Sequence, residues 1–161
     1  MDKRTLNSAT HISQLHEYLI SQDILPSHTN LEMGFGGFSH YNDETNTIYV
    51  DFAEFAYGES RMEIYLHEAG HAFHFAQDPD DWEDKQGELE IGYAWGEQMF
   101  AHDDAKMREW YEGLPLEYEA HQLKAILWRQ VQEDWEQIFP NQKPIGKKVW
   151  NFLCGKKGRA K

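Results

Sequence analysis

The stretch Ser60-Arg61-Met62-Glu63-Ile64-Tyr65-Leu66-His67-Glu68-Ala69-Gly70-His71 decides how this chain is read. Ser60 with Glu63 at the third position is a capping box, in which each side chain satisfies a backbone N–H that the first turn of a helix leaves unpaired. The pattern predicts a helix over 61–77, ended by Pro79 and the acidic run 78–84. Inside it, His67-Glu68-Ala69-Gly70-His71 is an HExxH motif. Residues four apart on a helix differ by about 40° in direction and about 6 Å along the axis. Imidazoles so placed, His67 and His71, converge on one zinc ion at ~2.0–2.1 Å each. Glu68 is rotated by about 100° from His67 and lies beside the ion, where a carboxylate acts as general base toward a water. His74 is on nearly the same face, but a ligand set running to His74 would stretch along about 10 Å of axis. It is therefore expected to pack or to support the site.

A third ligand must come from another element. Leu116 to Phe139 reads as one uninterrupted helix stopped by Pro140, with Ala120, Leu123, Leu127, Val131, Trp135 and Ile138 stepping by three and four along a core face. Its start, Leu116-Glu117-Tyr118-Glu119-Ala120-His121, offers two carboxylates. Glu117 and Glu119 differ by about 200° around a helix, so they cannot both face one ion. Glu117 lies nearer the core face, and His121, one turn on, can reach its second oxygen or a substrate. Acids also suit a helix N-terminus for its dipole alone, so residue type by itself leaves the two readings even.

The two motifs together, His67–His71 and Glu117-Tyr118-Glu119-Ala120-His121-Gln122-Leu123-Lys124-Ala125, resemble the gluzincin branch of the zincin metallopeptidases. The second motif is similar to the helix that carries the third zinc ligand in the CAAX-prenyl peptidase and ImmA/IrrE families. The resemblance implies that Glu117, three before Ala120, completes the ligand set His67, His71 and Glu117. Glu119 and Ala125 match further positions of that pattern, whereas His121 stands where those families carry Asp or Asn. A zincin-like fold is implied, with a small antiparallel sheet packed on the active-site helix and on a second long helix. Thr47–Phe52 would be the edge strand on which an extended peptide pairs. The implied activity is zinc-dependent hydrolysis of a peptide or protein substrate. Glu68 would move the proton, and Tyr118, His121, Tyr93 or Tyr111 would assist the oxyanion. Two other readings share these residues. Two His and a carboxylate are also the facial set of non-haem Fe(II) enzymes. A zincin shell can also serve a binding or regulatory protein whose turnover is lost or restricted.

The remaining sequence supplies the frame. Ile12, Leu15 and Leu19 mark one face of a helix over 11–22. Segments 35–41 and 47–52 read as strands of a hairpin joined by the turn residues 42–46. Residues 88–100 read as helix, with 103–112 continuing or restarting it. Strands early and helices late give an α+β class, mostly helical.

The chain has 161 residues and a net charge of −13. Residues 143–161 hold seven of the 15 Lys/Arg and no acid, so residues 1–142 set eight basic against 28 acidic side chains, a charge of −20. Such a body repels nucleic acid and anionic membranes. The expected organisation is one domain over 1–142 and a basic, partly disordered tail over 143–161. The single Cys154 leaves no internal disulfide framework. No apolar run approaches the ~18 residues of a membrane span, and no apolar stretch follows Lys3 and Arg4 as in a signal peptide. The expected setting is cytoplasmic.

Overall fold

The computed structural model describes residues 3–53 and 60–140. The chain runs α1 (Lys3–Ser21), β1 (Asn30–Gly34), β2 (His40–Asn42), β3 (Thr47–Asp51), α2 (Arg61–Gln77), α3 (Pro79–Phe100), α4 (Asp104–Glu112), α5 (Pro115–Glu133) and α6 (Trp135–Ile138). It is α+β and mostly helical, as expected. The tail 143–161 lies outside the described residues. Among the described residues, no helix is long and apolar enough to cross a membrane.

The expected hairpin exists only at its turn end. β2 pairs antiparallel with β3, Tyr41 opposite Ile48, across the turn 42–46. Asn46 holds φ 47°, a left-handed conformation that Asn tolerates. Residues 35–39 are not a strand. The buried carboxylate of Asp51 accepts the backbone N–H groups of Gly36 and Gly37, drawing that segment into a loop. Gly36 has φ 96°, which glycine adopts without cost.

The expected antiparallel sheet is corrected to a mixed one. β1 lies parallel to β3, Leu31 opposite Ile48, and the order is β1-β3-β2. β3 is therefore the central strand and not the expected edge. Its Ile48 and Val50 are fully buried, and that burial explains its β-branched sequence.

The helices also differ in detail from expectation. α1 begins earlier than residue 11, and its Ile12, Leu15 and Leu19 are fully buried. The acidic run after α2 opens α3: Asp78 caps it by accepting from Asp81 N, with Pro79 in the first turn. Asp103 caps a fresh helix, α4, in the same way. The long helix is interrupted at Asp134, whose carboxylate takes hydrogen bonds from the Tyr18 hydroxyl and Gln130 Nε2. The one-turn α6 then sets Trp135 and Ile138, followed by Phe139, into the core.

Two contacts position α2. The predicted capping box is present: Ser60 Oγ accepts from Glu63 N at 3.3 Å, and Ser60 N donates to Glu63 Oε2 at 2.8 Å. Deep in the core, His16 Nε2 donates to Thr29 O at 3.0 Å, so its Nδ1 accepts from the Tyr65 hydroxyl at 2.9 Å. Burial pushes the His16 pKa down, so the ring is held neutral. The unfolded chain, whose histidines titrate near ~6.5, then binds more protons than the folded chain below that pH. Stability therefore falls as pH drops below about 6.5, and the fall in melting temperature is shallower in His16→Gln.

Gly70 lets α2 approach α5. A Cβ there would stand 3.2 Å from both Ala120 O and Leu123 Cβ. Gly70→Ala is expected to cost ~1–3 kcal/mol by forcing the helices apart. Gly87, on α3 with nothing within 4 Å of an added Cβ, gives the opposite sign: Gly87→Ala gains ~0.5–1 kcal/mol. Urea denaturation of both variants checks the pair.

Candidate metal centre

The contact between α2 and α5 brings Glu117 between His67 and His71, one ring on each of its oxygens; the group whose ligand atoms all lie within 4.8 Å of one another is His67, Glu117 and His121, and His71 stands outside it. His67 Nε2 lies 3.0 Å from Glu117 Oε2, and His71 Nε2 lies 3.3 Å from Glu117 Oε1. One carboxylate thus takes both HExxH histidines, one on each oxygen. Glu117, in the first turn of α5, and His71 and Glu68, on α2, are all buried, while the His67 side chain keeps 13% of its surface exposed. Burial by itself would raise the Glu117 pKa. The hydrogen bonds and charges of His67 and His71 outweigh it and hold the carboxyl well below the usual carboxylate range.

Packing orients the two rings. The His67 and His71 centroids are 4.8 Å apart, His71 meets Trp82 edge-on at 5.4 Å, and His67 lies 4.7 Å from the His121 ring. The buried Nδ1 atoms of both histidines have no hydrogen-bond partner. The rings therefore engage polar groups only through Nε2, the atoms aimed at Glu117. The buried Glu117 carboxylate, held ionised, carries a negative charge that a divalent cation would neutralise. The donor set N, N, O is one that zinc takes.

His121 extends this cluster. His67, Glu117 and His121 each offer an atom within 4.8 Å of the other two. His121, expected to reach Glu117 or a substrate, lies within range of Glu117 and also packs against His67.

Glu119 points elsewhere, as the 200° separation requires. Its Oε2 lies 3.2 Å from His74 Nδ1 and its Oε1 2.5 Å from Lys85 Nζ. Asp81 Oδ2 closes the group, 2.7 Å from His74 Nε2 and 2.6 Å from Lys85 Nζ. His74 thus supports the α2–α5 contact from a network of its own, whose cation is the Lys85 ammonium.

Of the four possible oxyanion donors, Tyr111 stands apart. Its hydroxyl is hydrogen-bonded to Glu117 and lies within the field of Glu68. Burial first, then these carboxylates, push its pKa far above the usual phenol value, so it stays protonated. Tyr118 is 56% exposed. Tyr93 meets Tyr111 edge-on at 6.0 Å. Tyr111 reaches the site because α3 and α4 pack tightly. The Trp110 indole donates to Gly92 O at 2.7 Å, and Cβ atoms at Gly92 and Gly96 would collide with Leu114 and with Met107 and Trp110. The glycines inside α3 are thus sites of close approach, a signal that could have tied α4 to the site.

No protein-family model matches the chain, and no curated protein or solved structure matches it.

The two glutamates make opposite predictions. Glu117→Ala is expected to abolish tight zinc binding, because it removes the group both rings share. Glu119→Ala is expected to weaken it ~10–100-fold at most, through loss of support to α2. Zinc competition titrations against a chelating dye measure both, and the reverse order would move the centre to the His74 network.

Proposed function

We propose that the chain is a zinc-dependent metallopeptidase of zincin-like fold, acting on peptide or protein substrates in the cytoplasm. The observation that carries this reading is the shared carboxylate. Glu117 takes Nε2 of both histidines of an HExxH helix, with Glu68 and the Tyr111 hydroxyl beside it. His67, His71 and Glu117 would hold the ion. Zinc so held supplies Lewis acidity, polarising a carbonyl and bringing the pKa of a water toward ~7.

The chain's own residues do the rest. Glu68 accepts the proton of the attacking water and returns it to the leaving amine. Tyr111 retains its proton at neutral pH, and its single O–H, held toward Glu117 in the free protein, would turn from that carboxylate to the carbonyl oxygen as negative charge builds there. The low exposure of Glu68, His71 and Glu117 keeps bulk water from screening these interactions.

One observation favours a second reading, a zinc-holding protein of regulatory or binding role. With His121 in range of His67 and Glu117, a third ligand is already at hand, and were His71 to swing in as well, four protein ligands would close the centre and leave no position for a water. The two readings separate by mutation. For a peptidase, Glu68→Gln keeps zinc and fold but loses ~10²–10⁴ of turnover. Tyr111→Phe loses ~10²–10³ in kcat and weakens zinc at most ~10–100-fold by removing a hydrogen bond to Glu117, and His121→Ala leaves one zinc per chain. Single-turnover assays on a mixed peptide library, with zinc content measured on the same samples, decide between them. A silent Glu68→Gln and zinc lost with His121 would establish the closed centre.

A further inference from the structure

We infer that Tyr93 and Glu97 on α3 form a recognition site for a basic side chain, so that the substrate is a peptide carrying Lys or Arg near the bond that is cut. The inference rests on the peptidase reading for the word substrate, and on the following geometry for the rest.

Tyr93 and Glu97 are one helical turn apart on α3 and share a face. The Tyr93 ring meets Tyr111 edge-on at 6.0 Å and 88°, and Tyr111 in turn is bonded to Glu117. Glu97 accepts a hydrogen bond from the Tyr93 hydroxyl. A continuous line thus leads from the buried centre to the surface: Glu117, Tyr111, Tyr93, Glu97. Its inner end is buried, Tyr93 is 45% exposed, and Glu97 is exposed. Consecutive Cα atoms of an extended peptide are ~3.8 Å apart, so for a chain that runs from the centre toward α3, a side chain within a few residues of the carbonyl would be brought to this line.

The chemistry of the line selects the side chain. An exposed phenol ring beside a carboxylate offers a cation both a π-face and an ion pair. Residues 86–105 contain no Lys or Arg, while Glu88, Glu90 and Glu97 all lie there. Lys85, the basic residue of α3, is engaged by Asp81 and Glu119. An acidic side chain at the same place would meet Glu97 and, behind it, the −20 charge of residues 1–142.

The test is peptide binding to zinc-loaded Glu68→Gln protein, read by fluorescence anisotropy with labelled short peptides that differ only in one central residue: Lys, Leu or Glu. The Lys peptide is expected to bind about tenfold tighter than the Leu peptide at low salt, with the Glu peptide weakest and the differences shrinking as salt rises. Glu97→Lys, made on the same background, is expected to invert the order of the Lys and Glu peptides. Tyr93→Leu should reduce the Lys preference, with zinc content and melting temperature unchanged in both variants. Equal affinity for the three peptides, no measurable binding of any, or a Lys preference that survives Glu97→Lys would overturn the inference. Wild-type protein assayed on the same peptides keeps the two claims apart. A Lys preference in binding without cleavage supports the recognition site and removes the peptidase reading. Cleavage of all three peptides at one rate removes the recognition site and leaves the peptidase.

Discussion

The close approach of α2 and α5 at Gly70 is the constraint on which the rest of the site depends. With no side chain at residue 70, the α2 backbone settles against Ala120 and Leu123. At that separation the first turn of α5 lies beside the middle of α2, and Glu117 meets His67 and His71 together. A longer side chain at 70 would widen the gap, and a carboxylate already within 3.0–3.3 Å of two rings has no slack to follow. The apolar positions Ala120, Leu127 and Val131 provide the burial that holds the helices together. The polar site exists because a hydrophobic stripe and a glycine let it close.

The same contact carries two polar networks, and their difference in charge is informative. Around His74, the chain supplies its own cation: the Lys85 ammonium lies between the carboxylates of Asp81 and Glu119. Around His67 and His71 the carboxylate meets imidazoles, and its balance depends on what else enters. A buried carboxylate facing two Nε2 atoms, whose opposite ring nitrogens are unpartnered, is costly to maintain for stability alone. Such cost is characteristic of sites kept for chemistry. The support network fixes how α5 is rotated on α2, and the other network uses that rotation.

Much of this was legible in the sequence because it depends on local periodicity. The capping box, the i, i+4 histidines and the 200° separation of Glu117 from Glu119 are consequences of helix geometry, and each has a counterpart in the structure. What sequence reading missed depends on contacts between distant segments. β1 gives little strand signal in the sequence because none of its residues is buried, although Leu31 and Met33 alternate with Asn30 and Glu32. Thr47–Phe52 reads as an edge because nothing local announces a parallel partner. The strand expected over 35–39 was displaced by Asp51, a residue twelve or more positions away that gathers the glycine N–H groups. Asp134 interrupts the long helix through Tyr18, at the other end of the chain. Tyr111 could not be chosen among four donors, since only the α3–α4 packing brings it to Glu117. The acidic run after residue 77 reads as a stop, yet Asp78 and Pro79 are as good a start as a stop.

The central claim is that His67, His71 and Glu117 hold one divalent metal with a position left open. Zinc K-edge X-ray absorption on protein loaded with one equivalent tests it most directly. The account predicts a shell of two imidazoles at ~2.0–2.1 Å with the remaining ligands oxygen. A shell with three imidazoles, or zinc that shows no imidazole scattering at all, would contradict it.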